Sequence, residues 1–197
     1  MSKPEDRKVC WYRMAATWRN LKRRSSVFAS SAPKLPTQMT YSLLITNVVL
    51  FSCLLIYSII VSQSFMYVLA LRNTQLKLDA TAYIQVRKLI DQNMQAKFRY
   101  VTYTALIVTL LFIPIAYSSG SGLLFMSALV AFGMLVADTV ITVKGNLPIN
   151  AAINSWTNDQ YPPNWQDVRA KWLQFYQYRQ ILNITGFVVL VAGAVFR

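Results

Sequence analysis

Asp138 is the residue whose type and position most directly indicate chemistry in this chain. It stands within an apolar run, Leu123 to Val143, about two helical turns before the polar end of that run. A carboxylate inside a membrane span is costly unless it is paired, protonated or close to water, so such a residue indicates a functional site. Two interpretations stay open: a structural salt bridge at a helix end, or a site that handles protons or a ligand. The basic residues that follow and can supply the counter-charge are Lys144, Arg169 and Arg179.

The segment after this run, from Lys144 to Arg179, is polar and rich in aromatic and amide side chains. Aromatic walls can stack on a flat ligand, and an arginine can stabilise a phenolate, so the segment fits an aromatic or quinone-like substrate, or a lipid. The same aromatic residues also suit a belt at the membrane–water interface that only anchors the protein. The candidate binding residues, with the acid above, are Asp138, Asn146, Asn150, Arg169, Trp172, Tyr176 and Arg179.

The composition excludes several kinds of catalytic centre. The chain has no histidine, which removes the commonest metal ligand, the commonest haem ligand and the usual general base at neutral pH. Its two cysteines, Cys10 and Cys53, lack the spacing of a metal site. Seven acidic residues leave little for a di-iron or magnesium site. We therefore predict no metal and no cofactor.

The polar segment resembles the anthrone-oxygenase-like family of small four-helix membrane proteins. The residues that carry the resemblance are Asn146, Pro148, Asn150, Arg169, Trp172 and Arg179. It extends over residues 42 to 196 and implies a four-helix membrane fold whose surface loop encloses an aromatic substrate. In that family a histidine commonly stands before the last arginine, and this chain has Tyr176 there. Because a phenol is a poor base near neutral pH, the resemblance implies the family's scaffold without its catalytic histidine.

Long apolar runs predict that the chain crosses a membrane. Apolar residues make up 55% of it and charged residues only 14%, against roughly 25% charged in soluble domains. The runs do not alternate, and a helix satisfies its own backbone groups in lipid, so helices are expected rather than a barrel. The predicted fold is an all-α integral membrane four-helix bundle, with an amphipathic or polar helical connection and a basic N-terminal arm. We predict the arm at residues 1–40 and the four-helix domain at 41–197, with spans near 42–71, 100–117, 122–143 and 180–196.

The connection between the first two predicted spans has helical periodicity. Asp79 is a predicted N-cap, and the helix after it continues the bundle or lies on the membrane surface. The turn Ser118 to Gly122 is so short that the second and third spans must be antiparallel neighbours. The residues predicted on the apolar face of this first connection are Tyr83, Val86, Leu89 and Ile90, and those on its polar face are Arg87, Lys88 and Asp91.

The connection between the third and fourth spans is predicted to be irregular at its start. Gly145 and Pro148 interrupt the third span, because glycine and proline are poor residues for a helix interior. Asn164 or Asp167 then begins a helix that runs without a breaker into the fourth span.

The N-terminal arm carries much of the formal net charge of +13. Basic residues beside a first span orient the protein and bind anionic head groups, which is a simpler use than nucleic-acid binding. We therefore predict no nucleic-acid partner, and we expect the arm to face the cytoplasm or matrix. The arm also resembles a mitochondrial presequence, although its acidic residues Glu5 and Asp6 argue against that assignment. The arginines expected to bind a partner subunit are Arg7, Arg13, Arg19, Arg23 and Arg24.

Two functional hypotheses follow from these patterns. The favoured one is a non-catalytic accessory subunit of a larger, hetero-oligomeric membrane complex, plausible in the respiratory chain of the mitochondrial inner membrane or in a bacterial cytoplasmic membrane. Its support is the missing histidine, the basic arm and the Tyr-, Trp- and Arg-rich connections, since those residues are favoured at interfaces. The alternative is a membrane oxygenase or oxidoreductase for an anthrone- or quinone-like substrate. A weaker third hypothesis is a protein that binds a lipid or quinone without turnover.

Overall fold

Every regular element that the structure describes is a helix. The structure, a computed structural model, describes residues 37–157 and 160–197, with side chains from residue 41 onward. Residues 42–197 form one unit. The helices, in order, are α1 (Thr37–Met66), which continues through a π-helical turn (Tyr67–Leu71) into α2 (Arg72–Lys77), then α3 (Ala80–Ser118), α4 (Gly122–Ile141), a second π-helical turn (Thr142–Asn146), α5 (Leu147–Ser155) and α6 (Trp165–Val195).

Four continuous helical stretches are long and apolar enough to cross a membrane. They run over Tyr41–Lys77, Ala80–Ser118, Gly122–Ser155 and Trp165–Val195, and each exceeds the roughly 20 residues that a bilayer requires. The predicted all-α four-helix membrane fold is therefore confirmed. The helices are longer than the apolar runs, so their polar ends extend beyond the hydrocarbon layer.

The tight turn between α3 and α4 makes these helices antiparallel neighbours. Gly120 has a positive φ of 79°, which a residue with a side chain rarely adopts. The Ser121 hydroxyl accepts a hydrogen bond from the backbone N–H of Leu124 at 3.3 Å and so caps α4.

The apolar core lies between α1, α3, α4 and α6. Tyr57 of α1 is fully buried there, and its hydroxyl donates to the Ala131 carbonyl of α4 at 3.4 Å. Its ring lies 6.0 Å from that of Phe187 on α6. Helices α4 and α6 share the most extensive contact of the described helices, and there Gly193 of α6 lies directly against the Ser127 side chain of α4. The buried core residues are Leu50, Cys53, Tyr57, Ile60, Val61, Ala105, Phe112, Ala116, Leu124, Ala128, Ala131, Leu135 and Leu190.

The first connection is a continuation of the spans, with no separate surface helix between residues 72 and 118. Asp79 caps α3 as predicted, accepting from the Ala82 N–H at 3.1 Å, and the helix then runs unbroken to Ser118. The predicted faces are right for Tyr83, which is fully buried, but wrong for Leu89, which is 58% exposed, and for Arg87, which is only 5% exposed. Arg87 is buried because a polar partner on α5 and an aromatic ring on α6 face it.

The third connection is also more regular than its sequence predicts. Instead of an irregular turn at Gly145 and Pro148, the chain stays helical through the π-helical turn and α5. Proline is tolerated at the start of α5, where its missing N–H is not required by the helix. Gly145 lies against Phe175 of α6, so closely that a Cβ would stand 2.8 Å from the ring. Asn164 is the N-cap residue of α6, which agrees with one of the two predicted starts.

Candidate functional site

Asp138 forms a buried salt bridge with Arg179, one of the three predicted partners. The Nε of Arg179 on α6 lies 2.8 Å from Oδ1 of Asp138 on α4, and the two side chains are only 9% and 3% exposed. The Nδ2 of Asn183, one turn further along α6, donates to the same oxygen at 3.2 Å. Two hydrogen bonds from α6 therefore hold this carboxylate as an acceptor, and the pair ties α4 to α6 at the polar end of the bundle.

Asn150 joins three helices through one amide group. Its Oδ1 accepts from Nη2 of Arg87 on α3 at 2.9 Å and from Nε1 of Trp172 on α6 at 2.7 Å. Its Nδ2 donates to Asp91 on α3 at 3.0 Å. The other oxygen of Asp91 accepts from Asn154 at 2.7 Å. Asn150 therefore contacts both the cation Arg87 and the anion Asp91 of α3, and its amide positions both side chains.

The aromatic side chains of α6 lie in one series with the two arginines. The guanidinium carbon of Arg87 is 3.8 Å from the ring centroid of Trp172, and the ring of Trp172 stacks on that of Tyr176 at 4.7 Å and 18°. The Arg179 guanidinium carbon is 5.2 Å from the Tyr176 centroid. Tyr67, in the first π-helical turn, packs edge-on against Tyr176 at 4.5 Å. Each ring is thus held by a neighbour, and the series forms a fixed wall.

A cavity of about 380 Å³ opens beside this wall. That volume lies within the range of small-molecule sites, about 300 to 1,000 Å³. Of the residues predicted as a binding site, five line it: Asn146, Asn150, Trp172, Tyr176 and Arg179. The lining also includes Arg87, Asp91, Met94, Arg99, Tyr103, Val143 and Leu147.

The cavity opens sideways between α3 and the turn that follows α4. Tyr103 and Val143, which line it, are 52% and 55% exposed. The apolar run of α3 begins at Val101, just after Arg99, and that of α4 ends at Val143. The exposed lining residues therefore lie at the ends of two apolar runs, next to the polar extensions of the helices.

Two buried polar atoms on residues that line the cavity have no partner among the described residues. They are Nε of Arg87, a donor, and Oδ1 of Asn146, an acceptor. These side chains are 5% and 2% exposed. The amide of Asn146 is oriented, since its Nδ2 donates to the Trp172 carbonyl at 3.1 Å. Both atoms are enclosed by the protein itself, so the polar groups that a ligand can reach are the other donors and acceptors of the lining.

Two of the predicted site residues lie outside the cavity lining. Asp138 does not line the cavity itself, but its Oδ1 accepts a hydrogen bond from Nε of Arg179, which does. Arg169 instead caps the end of α2, where its Nη1 donates to the Gln75 and Leu78 carbonyls at 3.2 and 2.9 Å. Its guanidinium carbon is 4.6 Å from the Trp165 ring. The structure therefore gives Arg169 the geometry of a helix cap.

Sequence reasoning missed Arg87, Asp91 and Asn154, which complete the site from α3 and α5. Arg87 and Asp91 are four residues apart, so they share a face of their helix. That spacing is the signal that the sequence offers for this pair. The predicted partner-binding arginines, Arg7, Arg13, Arg19, Arg23 and Arg24, lie outside the described residues.

The comparisons with known proteins add no relative. No family model, no curated protein and no solved structure matches the chain. The resemblance to the anthrone-oxygenase-like family therefore stays a prediction. What the site does has to follow from its own geometry and chemistry.

Proposed function

We propose that this protein binds an amphipathic small molecule that enters its cavity from the bilayer, and that the bound molecule is held without turnover. The observation that supports this most strongly is the cavity beside Trp172 and Tyr176, which is lined by apolar side chains and by the polar residues Arg87, Asn146 and Arg179. A ligand that is polar at one end pairs with the polar part of this lining. Its apolar part leaves through the opening beside Val143.

Binding is favoured over catalysis by the state of the two carboxylates near the cavity. Asp91 accepts hydrogen bonds from Asn150 and Asn154, and Asp138 accepts from Arg179 and Asn183. Each carboxylate is therefore already engaged by two protein donors, and the chain has no histidine to serve as a general base.

The test is photolabelling of the protein in nanodiscs of neutral phosphatidylcholine. The probes are stearate and stearyl alcohol, each carrying a diazirine near its head group. We expect labelling that saturates with at least one probe, because a built cavity has a finite capacity. Val143→Trp should abolish the saturable part, since the larger side chain fills the opening.

The matched control is Val140→Trp. Val140 is 46% exposed, close to the 55% of Val143, and stands about one helical turn earlier, but it does not line the cavity. This variant should label like the wild type. Labelling that saturates with neither probe, or that Val143→Trp leaves unchanged, would overturn the proposed function.

The two hypotheses drawn from the sequence stand beside this proposal as predictions. An accessory subunit of a membrane complex is compatible with a bound amphiphile, because lipids and quinones lie at subunit contacts in bilayers. The partner expected for the basic arm would bind residues outside those described, so only an assembly experiment addresses it. Co-purification that is lost when residues 1–34 are deleted is the outcome that this prediction expects.

A further inference from the structure

The charges around the cavity leave one cation without a counter-ion among the described residues. Arg87, Arg99 and Arg179 line it, and the carboxylates that line it or pair with a lining residue are Asp91 and Asp138. Three cations against two anions leave one positive charge. Since Arg99 is exposed, the excess positive charge lies toward the rim of the cavity, where it attracts anions. A ligand with one negative charge would bring the site to neutrality.

The guanidinium groups have donors to spare for such a ligand. Arg179 uses its Nε for Asp138, and its Nη groups make no hydrogen bond to the described residues. Arg87 uses Nη2 for Asn150, while its Nη1 makes no hydrogen bond to the described residues and is not enclosed. Arginine is suited to carboxylate and phosphate, because its planar fork can donate two parallel hydrogen bonds.

Asp138 and Asn150 act as positioning residues for these arginines. Oδ1 of Asp138 lies 2.8 Å from Nε of Arg179 and holds that guanidinium group. Oδ1 of Asn150 accepts a hydrogen bond from Nη2 of Arg87 at 2.9 Å and holds the other. The stacked rings of Trp172 and Tyr176 restrict both guanidinium planes from the side. Donors held in this way lose little conformational entropy when a ligand binds, which favours affinity.

The rim of the cavity accounts for the rest of the ligand. Met94, Tyr103 and Val143 line the opening and are 40%, 52% and 55% exposed, so they offer an apolar exit into the hydrocarbon layer. Arg99 stands on the same rim, where its charge attracts an anion from the head-group region. A soluble anion would gain nothing from this apolar rim.

We propose that the ligand is an anionic amphiphile of the membrane, whose carboxylate or phosphate head is bound by the arginines that line the cavity and whose tail leaves between α3 and the turn that follows α4. This inference rests on the proposed function and adds the charge of the ligand. The experiment is displacement of the diazirine-labelled stearate from the wild-type protein in neutral nanodiscs, at a pH where stearate is ionised. Unlabelled stearate, stearyl alcohol and the soluble anion butyrate are the competitors.

We expect stearate to displace the probe at a concentration about tenfold lower than stearyl alcohol, since hydrogen bonds to charged groups are the stronger ones. Butyrate should displace little. Equal potency of stearate and stearyl alcohol would overturn the anionic ligand and leave the proposed function standing. Displacement by butyrate as strong as that by stearate would overturn a membrane source. Loss of saturable labelling by both probes would instead overturn the proposed function itself.

Two substitutions locate the effect. Arg99→Gln removes a rim charge from an exposed residue, and Arg87→Gln removes one from the wall, so each should reduce the preference for stearate several-fold. Lys97→Gln is the control, because Lys97 is an exposed cation of the same helix that does not line the cavity. An equal loss of preference in all three variants would show a general surface charge effect and contradict the proposal. Circular dichroism and gel filtration check that each variant folds.

Discussion

At the scale of single residues, the site depends on amides that orient charged groups. Asn150 accepts from Arg87 and Trp172 and donates to Asp91, so one side chain satisfies three polar partners. Asn183 donates to Asp138 beside Arg179 and so helps to hold that carboxylate. Asparagine suits both positions because its amide carries donors and an acceptor in one rigid plane.

The buried pair of Asp138 and Arg179 makes a residue-scale prediction about stability. Removing one partner leaves the other charge uncompensated, at a cost of roughly 3–5 kcal/mol. Asp138→Leu and Arg179→Met should therefore each lower the unfolding temperature strongly, whereas the double variant should be less damaged than either single one. The measurement is thermal unfolding in detergent of the four members of this double-mutant cycle. Additive losses would contradict a direct pairing.

At this scale the sequence predicts part of the site and misses part of it. The intramembrane position of Asp138 and the aromatic series that includes Trp172 and Tyr176 are visible in the residues themselves. The periodicity assigns Arg87 to a solvent-facing surface, because a charged residue on an amphipathic helix normally faces water. Only the tertiary contact with Asn150 and Trp172 shows that it is buried, and no local pattern encodes that contact.

At the scale of the elements, close packing of α4 on α6 fixes the geometry of the site. The salt bridge between Asp138 of α4 and Arg179 of α6 belongs to this contact, so the packing of the two helices also positions residues of the site. Deeper in the bundle, Gly193 lies directly against the Ser127 side chain. Small residues at such a contact let two backbones approach closely in a membrane.

Gly193 therefore supports an element-scale prediction. A Cβ at this position would overlap Oγ and Cβ of Ser127, and overpacking of this kind typically costs about 1–3 kcal/mol. Gly193→Ala should lower the midpoint of thermal unfolding in detergent. Gly133→Ala is the matched control, because Gly133 is exposed on α4 and a methyl group added there would have no heavy atom within 4 Å. A loss of similar size in both variants would refute the close contact as the cause.

The elements are more predictable from the sequence than their connections. Continuous apolar runs are a strong signal for spanning helices, and the cap at Asp79 is recognisable because aspartate satisfies free N–H groups at a helix start. The segment from Thr142 to Ser155 is not recognisable as helix, since Gly145 and Pro148 both disfavour it locally. Packing of Gly145 against Phe175 is a tertiary effect that overrides that local preference.

At the scale of the whole molecule, the described part of the chain is a membrane bundle with a site at its polar end. The apolar core holds the four helices together, and the polar extensions of α3, α4 and α6, with α5, enclose the cavity. This arrangement places a binding site at the depth where an amphiphile's head and tail separate. The membrane in which the protein resides and its partner subunits stay predictions from composition and from the basic arm.

The central claim is that an amphiphile occupies the lateral cavity, and mapping of the labelled residues tests it most directly. After photolabelling with the diazirine-labelled stearate and stearyl alcohol, the modified residues are identified by peptide mass spectrometry. We expect the saturable label on cavity residues, above all Met94, Tyr103, Val143 and Leu147. Label spread evenly over exposed apolar residues that do not line the cavity, such as Phe51 and Leu69, which are 66% and 78% exposed, would contradict the account.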